Sequence, residues 1–278
     1  MSGGGWRRLL RLWQRTPRAI PEPLWRATLA DYGFLGSLAP DEQERLRALS
    51  AEFLGEKEFH GAGGLQVTDQ MAVAIAAQAC LPLLHLAARP DGGAPGRGSV
   101  LRWYRDFVGI VVQPGEVVAR RDSIDETGVV HQYDEVLAGE AMDQGPVMLS
   151  WQAVAEAGYS ADAGYNVVVH EFAHKLDMAD GLSDGCPPLP VGFMGAPSQA
   201  QARRHWHGVW EEAYAQFCDA VVVAERFGGA TPWLDSYASQ SLDEFFAVAC
   251  EAYFVNRPRF SAEFAALVPL LDAFFRPG

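Results

Sequence analysis

The segment NVVVHEFAHKLD at residues 166–177 restricts the fold of this chain more than any other part of its sequence. His170 and His174 are four residues apart, so on an α-helix they lie one turn apart on the same face and can bind one metal ion. Valine is a poor helix former, and three consecutive valines precede the first histidine, so burial must hold this helix in place. The segment therefore predicts a buried helix with a metal site on one face.

Glu171 follows the first histidine directly and lies about 100° around the helix from it. This position places its carboxylate beside a metal-bound water without making it a ligand. Zinc suits the histidine geometry and raises the acidity of that water, so that Glu171 can take the proton and pass it to a leaving amine. The HExxH pattern thus predicts peptide hydrolysis. A chance match on a surface helix is the alternative, and the flanking valines argue against it.

A catalytic zinc site needs a third protein ligand and one open position for water. Asp180 stands where a metzincin places its third ligand, but the glycine that such enzymes require is missing. Glu244 and Glu251 are seven residues apart in SLDEFFAVACEAYF, so they share one helix face and either can complete the site. Ser241 and Glu244 also form a capping-box pattern, in which the glutamate only satisfies the helix start. Spacing alone does not choose between the two glutamates.

Charge and cysteine usage restrict the class of protein. The net charge of -13 at pH 7 repels nucleic acid phosphates, so direct nucleic-acid binding is not expected. Four cysteines without a CxxC pair indicate neither a disulfide framework nor a cysteine zinc ribbon, and they favour a cytoplasmic location. Arginines interrupt the apolar residues of the N-terminus, and no run of about eighteen apolar residues occurs. Neither a signal peptide nor a transmembrane segment is predicted.

The pattern along the chain predicts an α+β fold with an N-terminal helical region and a small antiparallel or mixed sheet. Residues 1–21 are expected to be a flexible or helical extension, and residues 22–278 a single domain. The expected parts of this domain are a helical part, a β-rich part and a helical zinc-binding part, at residues 22–90, 99–160 and 162–278.

Three helices are predicted with specific signals. Residues 40–54 open with proline and two acidic residues, and residues 71–84 are apolar nearly all round, which indicates a buried helix. Asp162 or Asn166 can cap the start of the HExxH helix, and Gly181 can end it.

The stretches DAGYNVVVHEFAHKLD, DGLSDGCP and WLDSYASQSLDEFFAVACEAYFVNRP resemble the Mlc titration factor A family of zinc metallopeptidases, which are relatives of the gluzincins. The resemblance is strongest over residues 162–187 and 233–258, and it is weaker but collinear from about residue 38 through the β-rich part. It implies a zincin-like catalytic core around the HExxH helix.

By this resemblance, His170, His174 and Glu244 bind one zinc ion per chain, and Glu171 is the catalytic base. Tyr237 matches a tyrosine that the family places beside the metal, where its hydroxyl can donate a hydrogen bond to an oxyanion. The resemblance implies aminopeptidase-like hydrolysis of a peptide or protein substrate in the cytoplasm, and a transcriptional repressor as a protein partner. The alternative is a repressor-sequestering interaction protein whose zinc site is mainly structural.

Further expectations concern the surroundings of the site. Asp177 either hydrogen-bonds a ligand imidazole or lies on the helix surface, and His205 and His207 are interpreted as ordinary surface or packing residues. Zincins commonly hold an extended peptide along an edge strand. The strand near Val111 or the segment GPVMLSW at residues 145–151 is expected to provide that edge.

Overall fold

The computed structural model of the protein describes residues 19–86, 99–124 and 130–277. In these ranges the protein has mixed α/β structure, with ten α-helices and a small four-stranded mixed sheet. Most of the predicted N-terminal extension, residues 1–18, lies outside the described residues. No helix in the described part of the chain is long and apolar enough to cross a membrane.

The helices are α1 (Glu22–Asp31), α2 (Gly33–Gly36), α3 (Pro40–Glu56), α4 (Asp69–Cys80), α5 (Trp151–Ser160), α6 (Val167–Asp177), α7 (Gln199–Phe227), α8 (Leu242–Val255), α9 (Arg257–Glu263) and α10 (Val268–Phe275). The strands are β1 (Glu58–Gly61), β2 (Gly109–Gln113), β3 (Val117–Ile124), β4 (Val130–Leu137), β5 (Gly139–Ala141) and β6 (Val147–Ser150).

The two predicted N-terminal helices are present as α3 and α4. Helix α3 begins at Pro40, and the Glu42 carboxylate accepts the Ala39 N–H at 3.0 Å, which satisfies a free donor at the helix start. Helix α4 is buried on nearly all sides, as expected, but it ends at Cys80. A 3₁₀ turn follows it, because Pro82 has no N–H to continue the α-helical ladder.

The main sheet has the strand order β1-β2-β6-β5. Strands β1, β2 and β6 are parallel, whereas β5 is antiparallel to β6, and β3 and β4 form a separate antiparallel pair. The sheet is therefore mixed. The expectation that β2, near Val111, or β6, within GPVMLSW, provides an edge is wrong, because each is paired on both sides. Sequence reasoning missed β1, whose four largely polar residues lie inside a helical stretch.

Helix α6 lies in the core beside α8. Asn166 is its N-cap, since the side-chain Oδ1 accepts the Val169 N–H at 2.9 Å, and Gly181 follows the final 3₁₀ turn with a φ of 89°. Phe172 is fully buried against Tyr104, with ring centroids 4.8 Å apart in an edge-on arrangement. Burying such a side chain contributes about 1.5–3 kcal/mol. Packing thus offsets the poor helix propensity of the valines.

Lys175 ties α6 to the turn between β5 and β6. Its ammonium group is fully buried and donates to Asp106 Oδ2 at 2.8 Å and to the carbonyl oxygens of Met142 and Gly145 at 2.6 and 3.1 Å. A buried charge is tolerated only when such partners replace its hydration. Because Lys175 follows His174 directly, these bonds fix the strand hairpin relative to the HExxH helix.

Replacing this ammonium is expected to destabilise the protein. Lys175→Met leaves a carboxylate and two carbonyl oxygens without their donor, so the free energy of unfolding should fall by about 3 kcal/mol. Arg26→Met is the matched control: it removes an ion pair with Glu22 from a side chain that is 76% exposed, and should cost less than about 0.5 kcal/mol. Urea unfolding of the two variants measures both values, and equal losses would contradict the anchoring role.

Candidate metal centre

Helices α6 and α8 bring three potential metal ligands together. The Nε2 atoms of His170 and His174 are 3.1 Å apart, and Glu244 Oε2 lies 3.1 Å from the first and 3.3 Å from the second. A tetrahedral ion with bonds of about 2.0–2.1 Å requires donors roughly 3.3–3.4 Å apart. The chemistry and spacing of these three side chains therefore fit one zinc ion.

Glu251 lies on the other side of the His170 ring. Its Oε1 is 2.8 Å from Nδ1 of His170, whereas the converging donors use Nε2. Only Glu244 of the two candidate glutamates therefore joins the group of donors. The capping interpretation of Glu244 holds for its backbone, whose N–H donates to Ser241 Oγ at 3.4 Å, while its carboxylate turns towards the histidines.

The electrostatics of the site couple metal binding to pH. Burial tends to raise the pKa of Glu244, but hydrogen bonds from His170 and His174 outweigh it and hold that pKa far below its usual range. Burial tends to lower the pKa of His170, yet Glu244 and Glu251 raise it well above the ordinary value. A metal must displace the proton that His170 retains, so its affinity should depend on pH.

Glu171 lies beside the donors without joining them. It is only 4% exposed, and burial raises its pKa to about 7 despite the opposing effect of His170 and His174. A carboxyl group with a pKa near neutrality can accept a proton and return it during one reaction cycle. Its position therefore permits general acid–base chemistry.

A cavity of about 230 Å³ adjoins Glu171 and His170, and Tyr165 and Gly139 also line it. Gly139, the first residue of β5, approaches Glu171 so closely that a β-carbon would lie 2.4 Å from Oε1 of the glutamate. Any larger residue at this position would force the strand or the carboxylate to shift. Sequence reasoning missed both lining residues, and for Gly139 the reason is that nothing in the sequence shows which strand passes the HExxH helix.

Tyr237 lies next to the three donors. Its hydroxyl oxygen is 3.3 Å from Glu244 Oε1, and its ring centroid is 6.1 Å from that of His170. Asp235 holds the preceding turn by accepting the Tyr237 N–H at 2.9 Å. The phenol hydroxyl thus lies at the edge of the site, within hydrogen-bond distance of Glu244.

A second group of metal-type side chains lies near α7. Donor atoms of Asp184, Cys186 and His207 lie within 4.8 Å of one another. Arg203 already donates to Asp184 Oδ2 at 2.6 Å and to Asp180 Oδ2 at 3.1 Å, so its guanidinium group occupies the place of a cation. We interpret this group as an ionic contact that holds α7 against the loop after α6.

Comparisons with known proteins indicate a metallopeptidase family for this chain. The sequence pattern of the family described as glucose-regulated metallo-peptidase M90 matches residues 6–276. An uncharacterised protein of Synechocystis is 30% identical over 85% of this chain and 77% of its own length. The Mlc titration factor A of Edwardsiella ictaluri is 32% identical over 87% of this chain and 83% of its own length. The protein of that name from Yersinia pestis is 28% identical over 95% and 88%.

The position of Asp177 differs from the one expected from the sequence. It is fully buried, and its Oδ2 accepts the Gly185 N–H at 2.9 Å, while Oδ1 has no hydrogen-bond partner among the described residues. It is therefore neither a surface residue nor a partner of a ligand imidazole. Burial raises its pKa to about 7. Its role is to hold the loop that follows α6.

This shift predicts a pH dependence of stability. The folded state holds a proton on Asp177 up to about pH 7, whereas the unfolded chain releases it near the ordinary pKa of 3.8. Stability from this group is therefore complete below about pH 4 and is lost as the pH rises to about 7. Asp177→Asn keeps an acceptor for Gly185 and removes the charge.

The variant should match the wild type near pH 4 and exceed it by about 1–3 kcal/mol at pH 8. Unfolding by urea across this range, with a chelator present, measures the difference. Asp219→Asn, at an exposed position of α7, is the control and should follow the wild type. A constant difference between Asp177→Asn and wild type at all pH values would contradict the linkage.

Proposed function

Because the chain belongs to the glucose-regulated metallo-peptidase M90 family, we propose that it is a zinc-dependent metallopeptidase with aminopeptidase-like hydrolysis of peptide bonds. The observation that carries this proposal is the convergence of His170, His174 and Glu244, whose donor atoms lie 3.1–3.3 Å apart. Glu171 and one of these donors, His170, line the same cavity. The proposal assigns one zinc ion to each chain.

Each side chain has a role that follows from its position. Zinc held by these three residues would supply Lewis-acid activation of a water and of the substrate carbonyl. Glu171, with a pKa raised towards 7, takes the proton from the attacking water and delivers it to the leaving amine. Tyr237 donates a hydrogen bond from its hydroxyl to the oxygen on which negative charge develops.

The sheet offers a place for the substrate backbone. Among the described residues, β5 is the end strand of the main sheet, and we propose that an extended peptide runs beside this edge. The strand begins at Gly139, which lies against Glu171, so a peptide on this edge passes the proposed base. The edge strand, α6 and α8 together support a zincin-like core.

The four cysteines support a cytoplasmic location. All are free thiols, and three of them are buried. Free thiols are typical of a reducing compartment, whereas secreted proteins commonly form disulfides. The cytoplasm is therefore the compartment that we propose.

Glu171→Gln tests the reaction. The amide keeps the size of the side chain and cannot accept the proton, so hydrolysis should fall at least about 100-fold while zinc content stays near that of the wild type. Mass spectrometry of metal content and a panel of fluorogenic peptides measure the two quantities. Glu244→Gln is the matched control, and it should lose zinc together with activity. Undiminished turnover in Glu171→Gln would refute the assigned base.

Gly139→Ala tests the closeness of β5 to the base. The added methyl group would lie 2.4 Å from Glu171 Oε1, so the carboxylate or the strand must shift. A misplacement of about 1 Å commonly costs about 100-fold in rate, so turnover should fall about 10- to 100-fold with zinc retained.

Gly109→Ala is the control for this change, because its β-carbon would meet Pro146 at an ordinary 3.6 Å in the same sheet. It should keep at least half of the wild-type turnover. Equal turnover of wild type and Gly139→Ala would show that the carboxylate is not held in place by the strand.

The names of the relatives favour a second candidate function. Two of them are called Mlc titration factor A, a name that suggests an interaction with the repressor Mlc. The second candidate is therefore a protein that sequesters this repressor, and we propose for that case a zinc site that is mainly structural. Calorimetric titration of purified Mlc with wild type, chelated wild type and Glu171→Gln discriminates the two. Binding by all three without peptide hydrolysis supports sequestration alone, and absence of binding excludes it. Binding together with hydrolysis shows that both roles coexist.

A further inference from the structure

A buried series of hydrogen bonds links helix α4 to the candidate metal centre. Gln78 Oε1 accepts from the Asn166 side-chain amide at 2.8 Å, and the Asn166 backbone N–H donates to Glu251 Oε2. The other carboxylate oxygen of Glu251 lies 2.8 Å from Nδ1 of His170. Gln78 and Asn166 are fully buried, and Glu251 is 1% exposed. This series of hydrogen bonds therefore ends at the ring of a proposed metal ligand.

We propose that Glu251 is a positioning residue, which fixes the orientation and the tautomer of the His170 imidazole. This inference rests on the proposed function, because it requires a metal at Nε2 of that ring. When Nδ1–H donates to the carboxylate, the proton is kept at Nδ1 and the lone pair at Nε2 faces the metal. The ring is also prevented from rotating about its bond to Cβ.

One helix holds this ring from both sides. Glu244 lies 3.1 Å from Nε2 of His170 and Glu251 lies 2.8 Å from Nδ1, and both glutamates come from α8. Their separation of seven residues places them on the same face, two turns apart. A rotation of α8 against α6 would therefore disturb the ligand and its support together. The seven-residue spacing, which left two candidate ligands in the sequence, places one glutamate at each nitrogen of the His170 ring in the structure.

Glu251 also fixes the start of α6. Its Oε2 accepts the backbone N–H of Asn166. Asn166 is the N-cap of α6, and its side chain in turn accepts the Val169 N–H. An anchor that acted on the helix start alone would affect folding and leave the intrinsic affinity for zinc unchanged. Zinc affinity, measured apart from stability, therefore distinguishes the positioning role from a purely structural one.

Glu251→Gln is the test, with Cys250→Ala as its matched control. The amide has the size of the carboxylate but lacks its charge, and it presents a donor to one of two donating N–H groups. Cys250 is fully buried next to Glu251 on α8, so its truncation disturbs packing without removing a hydrogen bond to His170. Competition with a chromogenic chelator gives the dissociation constant for Zn²⁺, and thermal unfolding with excess chelator gives the stability of the metal-free proteins.

The dissociation constant should rise about 10- to 100-fold in Glu251→Gln and less than about 3-fold in Cys250→Ala, although both variants lower the unfolding temperature. Loading with Co²⁺ adds a spectroscopic readout, because a reoriented imidazole changes the visible absorption bands of the bound ion. An affinity in Glu251→Gln within about 2-fold of the wild type, with an unchanged Co²⁺ spectrum, would overturn the inference.

If the glutamine variant does not fold, Glu251→Asp is measured in its place. It keeps the charge but shortens the side chain by one methylene group, so it cannot reach both N–H groups, and a rise of about 10-fold or more is again expected. A wild-type affinity in this variant would overturn the positioning role. A wild-type protein that binds no zinc would instead refute the proposed function, so the two failures are distinguishable.

Discussion

The fixed arrangement of α6 against α8 is the constraint on which the rest of the structure depends. Donor atoms from the two helices lie 3.1–3.3 Å apart, so a small rotation of either helix would separate them. Large aromatic side chains hold the pair from both sides. Phe172 packs edge-on against Tyr104, and Trp210 of α7 packs edge-on against Phe246 of α8 at 5.5 Å. Close packing transmits such constraints because protein interiors deform little.

This arrangement places acidic side chains in the interior, where their charged forms are unfavourable. Glu171 and Glu251 are 4% and 1% exposed, and burial raises the pKa of both carboxyl groups. Burying charge is unfavourable unless a partner of opposite sign compensates it. A dication between His170, His174 and Glu244 would supply that compensation, so metal binding and folding stability are expected to be coupled. The acidic interior is thus consistent with a protein built around a metal.

Local signals in the sequence were sufficient where one short segment contains all the information. The N-cap of α6 was restricted to two candidates and is Asn166, and Gly181 follows the helix as expected. Where neighbours are distant in sequence, the same reasoning failed. Asp177 was expected at the surface or beside an imidazole, and the loop residue Gly185 is its partner. Strand β1 was hidden because only its pairing with β2, about fifty residues later, makes it a strand.

The sequence by itself determined that two histidines share one face of a buried helix, because the four-residue spacing and the flanking valines are local properties. It also restricted the third donor to two glutamates on one helix face. Only the tertiary structure separated their positions, since that depends on which nitrogen of His170 each carboxylate meets. The ring has two nitrogens on opposite sides, and the packing of α8 against α6 decides which glutamate reaches which nitrogen. No spacing within one helix contains that information.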